Sequence, residues 1–342
     1  MISRVQAGYI THMAIKTASD DSIKEAADLL NAGGLVAMPT ETVYGLAANA
    51  LDGKAVARIF EAKGRPSFNP LIVHVSDAKA AQDFVEMDDI ALQIADAFWP
   101  GPLTLILPKV KDCAVSDLVS AGLPTLAVRV PRHKATLSLI KAAGVPLAAP
   151  SANRSGSLSP TAPIHVADSL GENVDLILAA GPSEVGLEST VLDLSGDVPV
   201  ILRPGAVTPE DLQAVIGQEV LVADHNTDKP KSPGMILKHY APNTPLRLNA
   251  IDVKEGEALL AFGSTKFMVG ANFPKERLCN LSEEQDLHEA ASNLFAMLKE
   301  LDHGDLQTIA VMAIPDTGLG IAINDRLRRA AEGSKTVAEK AS

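Results

Sequence analysis

Short apolar runs alternate with helical stretches over the first half of the chain, and this alternation constrains the fold more than any other feature. Runs with the length and composition of buried strands occur at 35–38, 71–75, 103–107, 126–130 and 147–149. Helical spacing of apolar residues occurs at 22–31 and 53–63, and near 88–98, 134–143 and 163–170. The pattern predicts an α/β domain in which helices pack on a sheet.

A chain of 342 residues exceeds what one hydrophobic core usually supports, so we expect two domains. The polar, proline-rich stretch from 222 to 245 has no period and is typical of a linker. Beyond it, apolar runs flank a helix over 287–301, which indicates a smaller α/β domain. The predicted organisation is an extension over 1–12, with Met13 a candidate start, a first domain over 13–221, a linker over 222–245, a second domain over 246–332 and a tail over 333–342.

Composition excludes several classes of protein. The balance of 30 basic against 42 acidic residues gives a net charge of −12, which argues against a main partner that is a nucleic-acid backbone. Cys113 and Cys279 have no partner at ligand spacing, so neither a disulfide framework nor a zinc site is indicated. No apolar run approaches the roughly 20 residues of a membrane span. A reducing cytoplasm is the expected location.

Polar segments follow two of the predicted strands. The octapeptide Pro-Thr-Glu-Thr-Val-Tyr-Gly-Leu at 39–46 comes after the first strand, and Ser-Ala-Asn at 151–153 comes after the run at 147–149. Open α/β sheets hold ligands beyond the carboxyl ends of their strands. We therefore expect both segments at one sheet edge, in a shared site.

Basic residues stand at the ends of predicted elements in an otherwise acidic chain: Lys63, Arg65, Arg129, Arg132, Arg154 and Arg203. For Lys63 and Arg65, offsetting the dipole of the preceding helix is an equally good interpretation. Arginines and hydroxyls that recur after several strands nevertheless favour one shared anion pocket. His74 alternates with two valines, which favours a solvent-facing position on a half-buried strand.

Motifs for phosphate loops, nucleophile elbows and zinc proteases are missing, and so is a complete Gly-x-Gly-x-x-Gly. A nucleotide would therefore be held by dispersed side chains. The octapeptide, the Lys-x-Arg motif at 63–65 and the Ser-x-Asn motif at 151–153 together resemble the signature of the YrdC-like family of threonylcarbamoyl-AMP synthases. The Lys-His-Tyr-Ala-Pro motif at 238–242 resembles the linker of its long, two-domain form.

The resemblance implies a fold and an activity. The fold is α/β: an N-terminal YrdC-like twisted open mixed sheet with helices, followed by a smaller C-terminal Rossmann-like α/β domain. The activity converts L-threonine, bicarbonate and ATP into threonylcarbamoyl-AMP and pyrophosphate, the first step of threonylcarbamoyladenosine formation in tRNA. Mg²⁺ would arrive with ATP, without a metal site of the protein's own. The partners would be other tRNA-modification proteins that receive the intermediate, with weak or indirect tRNA contact and no membrane.

Site residues also follow from the resemblance. Those implied for threonine are Thr42, His74, Arg129, Ala149 and Ser189. Those implied for ATP are Lys63, Arg65, Asn69, Thr125, Ser151, Asn153, Ser159, Arg203 and Tyr240, with Lys63 and Arg65 as the catalytic residues. The linker would fold over the nucleotide as a lid, with Tyr240 closing on it.

Two other functions stay open. The domain could transfer carbamoyl groups from another donor, as YrdC-like modules do in hydrogenase-maturation proteins, although the acylphosphatase and zinc-finger modules of those proteins do not occur here. It could instead be a non-catalytic RNA-binding or regulatory module, which the net charge of −12 disfavours. Pyrophosphate release that requires threonine, bicarbonate and ATP together would separate these possibilities.

Overall fold

The computed structural model describes residues 14–223, 240–302 and 306–341, with side chains as far as Ser334. The described residues do not include the predicted extension over 1–12, the end of the predicted tail, or most of the linker, including Lys238 and His239. The predicted role of the linker as a lid therefore lies outside the described residues. None of the described helices is long and apolar enough to cross a membrane.

Eleven strands form the first sheet. In chain order they are β1 (Ala14–Thr17), β2 (Val36–Met38), β3 (Gly45–Asn49), β4 (Ile72–His74), β5 (Leu103–Pro108), β6 (Thr125–Arg129), β7 (Leu147–Ala148), β8 (Leu176–Ala179), β9 (Thr190–Asp193), β10 (Val200–Arg203) and β11 (Leu221–Val222). Their spatial order is β1-β8-β2-β3-β7-β4-β6-β5-β9-β10-β11, with parallel and antiparallel neighbours mixed. The expected mixed sheet is confirmed.

Helices connect these strands: α1 (Asp20–Asn31), α2 (Gly53–Lys63), α3 (Ala78–Ala81), α4 (Asp89–Phe98), α5 (Asp117–Ser120), α6 (Lys134–Ala143), α7 (Pro163–Leu170) and α8 (Pro209–Ile216). The sequence signals at the ends of α2 are confirmed. Asp52 accepts a hydrogen bond from the Lys54 N–H at its start, and Gly64 ends it with φ 60°.

The two faces of the first sheet differ in what covers them. Val73 and Val128 point to the main core, which α2 and α4 cover. The neighbouring residues Ile72 and Ala127 point to the opposite face. There α1 and α6 cover only the strands nearest β2. On the strands from β4 to β10, neither of these two helices covers that face.

Four parallel strands form the second sheet: β12 (Leu246–Arg247), β13 (Glu257–Ala261), β14 (Leu278–Asn280) and β15 (Thr308–Val311), in the order β12-β15-β13-β14. It packs with α9 (Leu287–Glu300) and α10 (Leu319–Ala341). An all-parallel sheet with a helical crossover is Rossmann-like, as expected. Val43, Leu158 and Leu187 of the first domain are buried in the core of the second, so the two domains share a hydrophobic core.

We expect Gly144→Ala, at the end of α6, to lower the free energy of unfolding by about 1 kcal/mol, because Gly144 has φ 67° and a Cβ is strained in the left-handed region. Gly196→Ala is the matched control: open space surrounds both positions, but Gly196 lies outside the left-handed region. Urea unfolding of the two variants compares them. Equal stability of both would contradict the backbone argument.

Candidate functional site

A recess opens over the face of the first sheet that α1 and α6 leave uncovered. It is lined by Thr40, Thr42, Val43, Gly45, Arg65, Ile72, His74, Arg129, Ala149, Pro150, Ser151, Glu188, Ser189, Arg203 and Tyr240. The segments after β2 and β7 therefore meet at one site, as the sequence predicts.

The recess spans the sheet face, whereas the sequence predicts a site at one edge of the sheet. Strand β4 runs antiparallel to β7, with His74 opposite Leu147 and the Ala149 N–H bonded to the Ile72 carbonyl. Ser151 consequently lies near the beginning of β4 and His74 at its end. The site extends along the strands because an antiparallel neighbour brings opposite strand ends together.

One end of the recess is organised around Arg129 at the end of β6. Its Nη2 donates to Glu41 Oε1 at 2.6 Å, its Nη1 to Thr42 Oγ1 at 2.9 Å, and its Nε to the Gly101 carbonyl at 3.1 Å. The other carboxylate oxygen of Glu41 accepts the Arg132 N–H at 3.1 Å. Burial alone would raise the pKa of Glu41, but the Arg129 guanidinium outweighs it and holds the pKa below the ordinary value. Glu41 is therefore an ionised, buried anchor for Arg129.

The prediction that His74 faces solvent is wrong. Its side chain is buried, because β4 lies between β7 and β6 in the interior of the sheet and the recess is roofed by other segments. Burial, reinforced by the charge of Arg129, lowers its pKa to about 3. The imidazole is thus neutral near pH 7, and its Nδ1 has no hydrogen-bond partner within the described part of the chain. Strand alternation could not reveal this, since it does not say what covers a face.

Ser189 and Arg203 form a second contact group in the recess. The Ser189 hydroxyl lies 2.7 Å from that of Thr104 on β5. The guanidinium of Arg203 donates to the Ser189 carbonyl at 2.9 and 3.1 Å and to its hydroxyl at 3.1 Å. Arg203 therefore fixes the loop that presents Ser189.

Lys63 and Arg65 are buried at the other end. Lys63 Nζ donates to the carbonyls of Ser151, at 2.6 Å, and Asn153. Arg65 donates to the carbonyls of Asn69 and Pro70 at 3.2 and 3.0 Å. These acceptors belong to neighbouring segments, while carbonyls at the end of α2 accept the N–H groups of residues 64 and 65. Binding of the helix's own carbonyls therefore does not explain the two cations.

Electrostatics at this end suit an anion. Burial, then the nearby charge of Arg65, lowers the pKa of Lys63 well below its ordinary value, and burial lowers that of Arg65 to about 10. A negative ligand would offset the free-energy cost of burying the two positive charges. The side-chain oxygens of Asn69 and Asn153 are also buried here and lack partners among the residues that the structure describes.

Most of the predicted site residues come together. Lys63, Asn69, Asn153 and Ser159 stand directly behind the lining and contact it through hydrogen bonds or chain neighbours. Thr125 is the exception: it begins β6, at the end away from Arg129, and does not line the recess. The side chains of Arg132 and Arg154 bond elsewhere, to Glu184 and to Ser169.

Sequence reasoning did not assign Glu41, Glu188 or Arg326 to the site. Glu41 lies inside the octapeptide and Glu188 in the hydroxyl-rich segment before β9, so both had a local signal. Arg326 comes from α10 and pairs with Glu188 across 138 positions of the chain. No local pattern could have indicated that contact.

Two family models match the chain. Residues 28–205 match the Sua5–YciO–YrdC model, described as "Telomere recombination", and residues 207–332 match the model described as "Threonylcarbamoyl-AMP synthase, C-terminal domain".

Relatives and a solved structure are similar over nearly the whole length. A threonylcarbamoyl-AMP synthase of Bacillus subtilis is 42% identical, covering 92% of this chain and 94% of its own length. One of Pyrococcus abyssi is 40% identical, covering 90% and 93%. The crystal structure of P. abyssi Sua5 complexed with L-threonine has a TM-score of 0.84 at 37% identity, covering 94% of this chain and 98% of that chain. The likeness thus includes both domains.

Replacing the Glu41 carboxylate, as in Glu41→Gln, should lower the free energy of unfolding near pH 7 by about 3 kcal/mol, because it leaves the buried Arg129 without its counter-charge. The pKa of Glu41 is lowered on folding, so its contribution is complete above the ordinary value of 4.5 and is lost as the pH falls through the folded value. The stability gap between the parent and the variant should therefore narrow below that pH.

Urea unfolding over a pH series measures this gap, with Glu61→Gln on the exposed side of α2 as the control. A gap that stays constant down to about pH 3 would show that the Glu41 charge does not contribute.

Proposed function

This chain belongs to the Sua5–YciO–YrdC family, and from that premise we propose that it condenses L-threonine, bicarbonate and ATP into threonylcarbamoyl-AMP and pyrophosphate. The observation that carries the proposal is a single recess with a cation-rich end at Lys63 and Arg65 and a separate end at Arg129, Thr42 and His74. One end suits a polyphosphate and the other an amino acid. The names of the relatives support the same reaction.

Threonine is assigned to the Arg129 end. A guanidinium has five N–H donors, of which Arg129 gives three to Gly101, Thr42 and Glu41. One N–H remains on each terminal nitrogen, and such a pair can bind a carboxylate in the bidentate way. Neutral His74 and Ser189 stand around this position, and Ala149 leaves room for it.

ATP is assigned to the other end. Lys63 and Arg65 carry positive charge toward the triphosphate, and Asn69, Ser151 and Asn153 offer polar groups beside them. The family resemblance extends this assignment to Thr125, Ser159, Arg203 and Tyr240. Mg²⁺ would arrive bound to ATP and would neutralise part of the phosphate charge beside Lys63 and Arg65.

The reaction needs positioning more than a covalent nucleophile. The threonine amine and bicarbonate combine into a carbamate with loss of water. A carbamate oxygen then attacks the α-phosphorus of ATP, the new P–O bond forms, and the bond to pyrophosphate breaks. Lys63 and Arg65 stabilise the charge on the phosphate oxygens, while the Arg129 end holds threonine in line for attack. We assign Lys63 and Arg65 as catalytic residues on this ground.

The product is a reactive mixed anhydride, so a following acyl-transfer reaction has to consume it. We place this reaction in the modification of tRNA, as the first step of threonylcarbamoyladenosine formation. In that sequence the cytoplasm supplies the substrates, other modification proteins receive the product, and tRNA contact with this chain is weak or indirect.

Release of pyrophosphate by the purified chain should require threonine and bicarbonate together, because the attacking group is made from both. Serine should react roughly 10- to 100-fold less efficiently, since a pocket shaped for the extra methyl of threonine discriminates by that factor. A coupled pyrophosphate assay with each component omitted in turn tests this. Full turnover without bicarbonate would replace the mechanism with simple amino-acid adenylation.

Charge removal should separate the two ends. Arg129→Ala should mainly weaken threonine binding and Arg65→Ala mainly ATP binding, each by about 2 to 5 kcal/mol, because both cations are buried. Isothermal titration of each variant with each ligand measures the effect, with the exposed Arg328→Ala as the control. Normal ATP binding by Arg65→Ala would contradict the ATP assignment and leave Arg65 only the role of holding the Asn69 and Pro70 carbonyls.

A further inference from the structure

We propose that Arg326 of the second domain is a positioning residue for the nucleotide end of the recess, where it compensates the charge of Glu188 and supports Tyr240. The inference rests on the proposed function for the identity of the ligand. It assigns the second domain a part in building the site.

Arg326 reaches out of its own domain. It lies on α10 with a fully buried side chain, and its Nε donates to Glu188 Oε2 at 2.8 Å. Its Nη2 donates to the Pro204 carbonyl at 3.0 Å, beside Arg203. Both acceptors belong to the first domain. The third nitrogen, Nη1, donates to Asp325 Oδ2 at 2.6 Å.

Arg326 matters for the recess because it compensates the charge of Glu188. It is a buried carboxylate on the wall of a recess that, under the proposed function, accepts a polyphosphate. Its second oxygen accepts the hydroxyl of Ser159. Burial alone would raise its pKa, but the charges of Arg326 and then Arg203 hold the pKa below the ordinary value. The carboxylate is therefore ionised and needs a partner to avoid repelling phosphate.

Tyr240 is the second group that Arg326 supports. The guanidinium carbon lies 5.3 Å from the centroid of the Tyr240 ring, a cation–π distance. On another side the ring is 5.5 Å from that of Phe295 on α9. Tyr240 also lines the recess, so two residues of the second domain set the position of one of its walls.

The neighbouring charges Asp325 and Arg329 show which group depends on Arg326. Asp325 is buried and accepts hydrogen bonds from Arg329 at 3.0 and 3.1 Å. Arg329 therefore continues to compensate Asp325 when Arg326 is replaced. The charge that loses its closest cation is that of Glu188, which lines the same recess as Arg65 of the ATP end.

The experiment measures ATP and threonine binding separately, on the full chain, by isothermal titration. Arg326→Met should weaken ATP binding about tenfold or more and change threonine binding less than about twofold. Arg326→Lys should retain part of the ATP affinity, because it keeps the positive charge but cannot make all three hydrogen bonds of the guanidinium. Arg328→Met, on the exposed side of the same helix, is the control and should leave both affinities unchanged.

The double variant Arg326→Met/Glu188→Gln decides between positioning and simple folding. Removal of both charges leaves no uncompensated carboxylate, so it should recover most of the lost ATP affinity even where the single variant folds poorly. A purely structural Arg326 would instead give equal losses of ATP and threonine binding in Arg326→Met, and the double variant would restore both together. Unchanged ATP binding in Arg326→Met, or no recovery in the double variant, would overturn the proposal.

The readouts also separate this proposal from the proposed function. ATP binding and its rescue are measured without turnover, so they stand even if pyrophosphate release shows another reaction. Conversely, an active parent chain with an Arg326→Met variant that binds ATP normally would refute the role of Arg326 alone.

Discussion

The structure depends on how buried charge is compensated. Arg129 and Arg326 each face a buried glutamate, Glu41 and Glu188 respectively, and both pairs hold segments that are distant in sequence. Lys63 and Arg65 instead contact backbone carbonyls, which carry no net charge. The paired cations therefore fix the walls of the recess, whereas a negative ligand would supply the counter-charge that the backbone carbonyls do not give Lys63 and Arg65. A chain that is acidic overall can thus present a strongly positive site.

Much of the fold could be predicted from the sequence because local signals agreed with the tertiary structure. The apolar period and end signals of α2 and α9 gave their extents closely. Strand β3 could not be predicted in this way, because it consists of Gly45, Leu46, two alanines and Asn49 and lacks β-branched residues. It is a strand because it lies between β2 and β7, which supply its hydrogen bonds. Such pairing is long-range information that a local pattern does not contain.

The composition of the site could be predicted better than its geometry. The polar segments that follow β2 and β7 were expected together, and Thr42 and Ser151 do meet in one recess, where Ser189 joins them from the segment before β9. The exposure of His74 and the extent of the site could not be predicted, because both depend on the antiparallel pairing of β4 with β7. Arg326 shows the same limit more strongly, since its role arises only when the domains pack. The role of each residue in binding remains a prediction.

The hydrophobic core shared by the two domains has a consequence for how such a chain can be divided. Val43 follows directly on the threonines of the octapeptide, yet its side chain is buried with Leu158 and Leu187 in the core of the second domain. Separation of the domains would expose this apolar surface beside the recess. The two units should therefore melt as one calorimetric transition. A first domain that folds without the second would need polar residues at these three positions, or another surface to cover them.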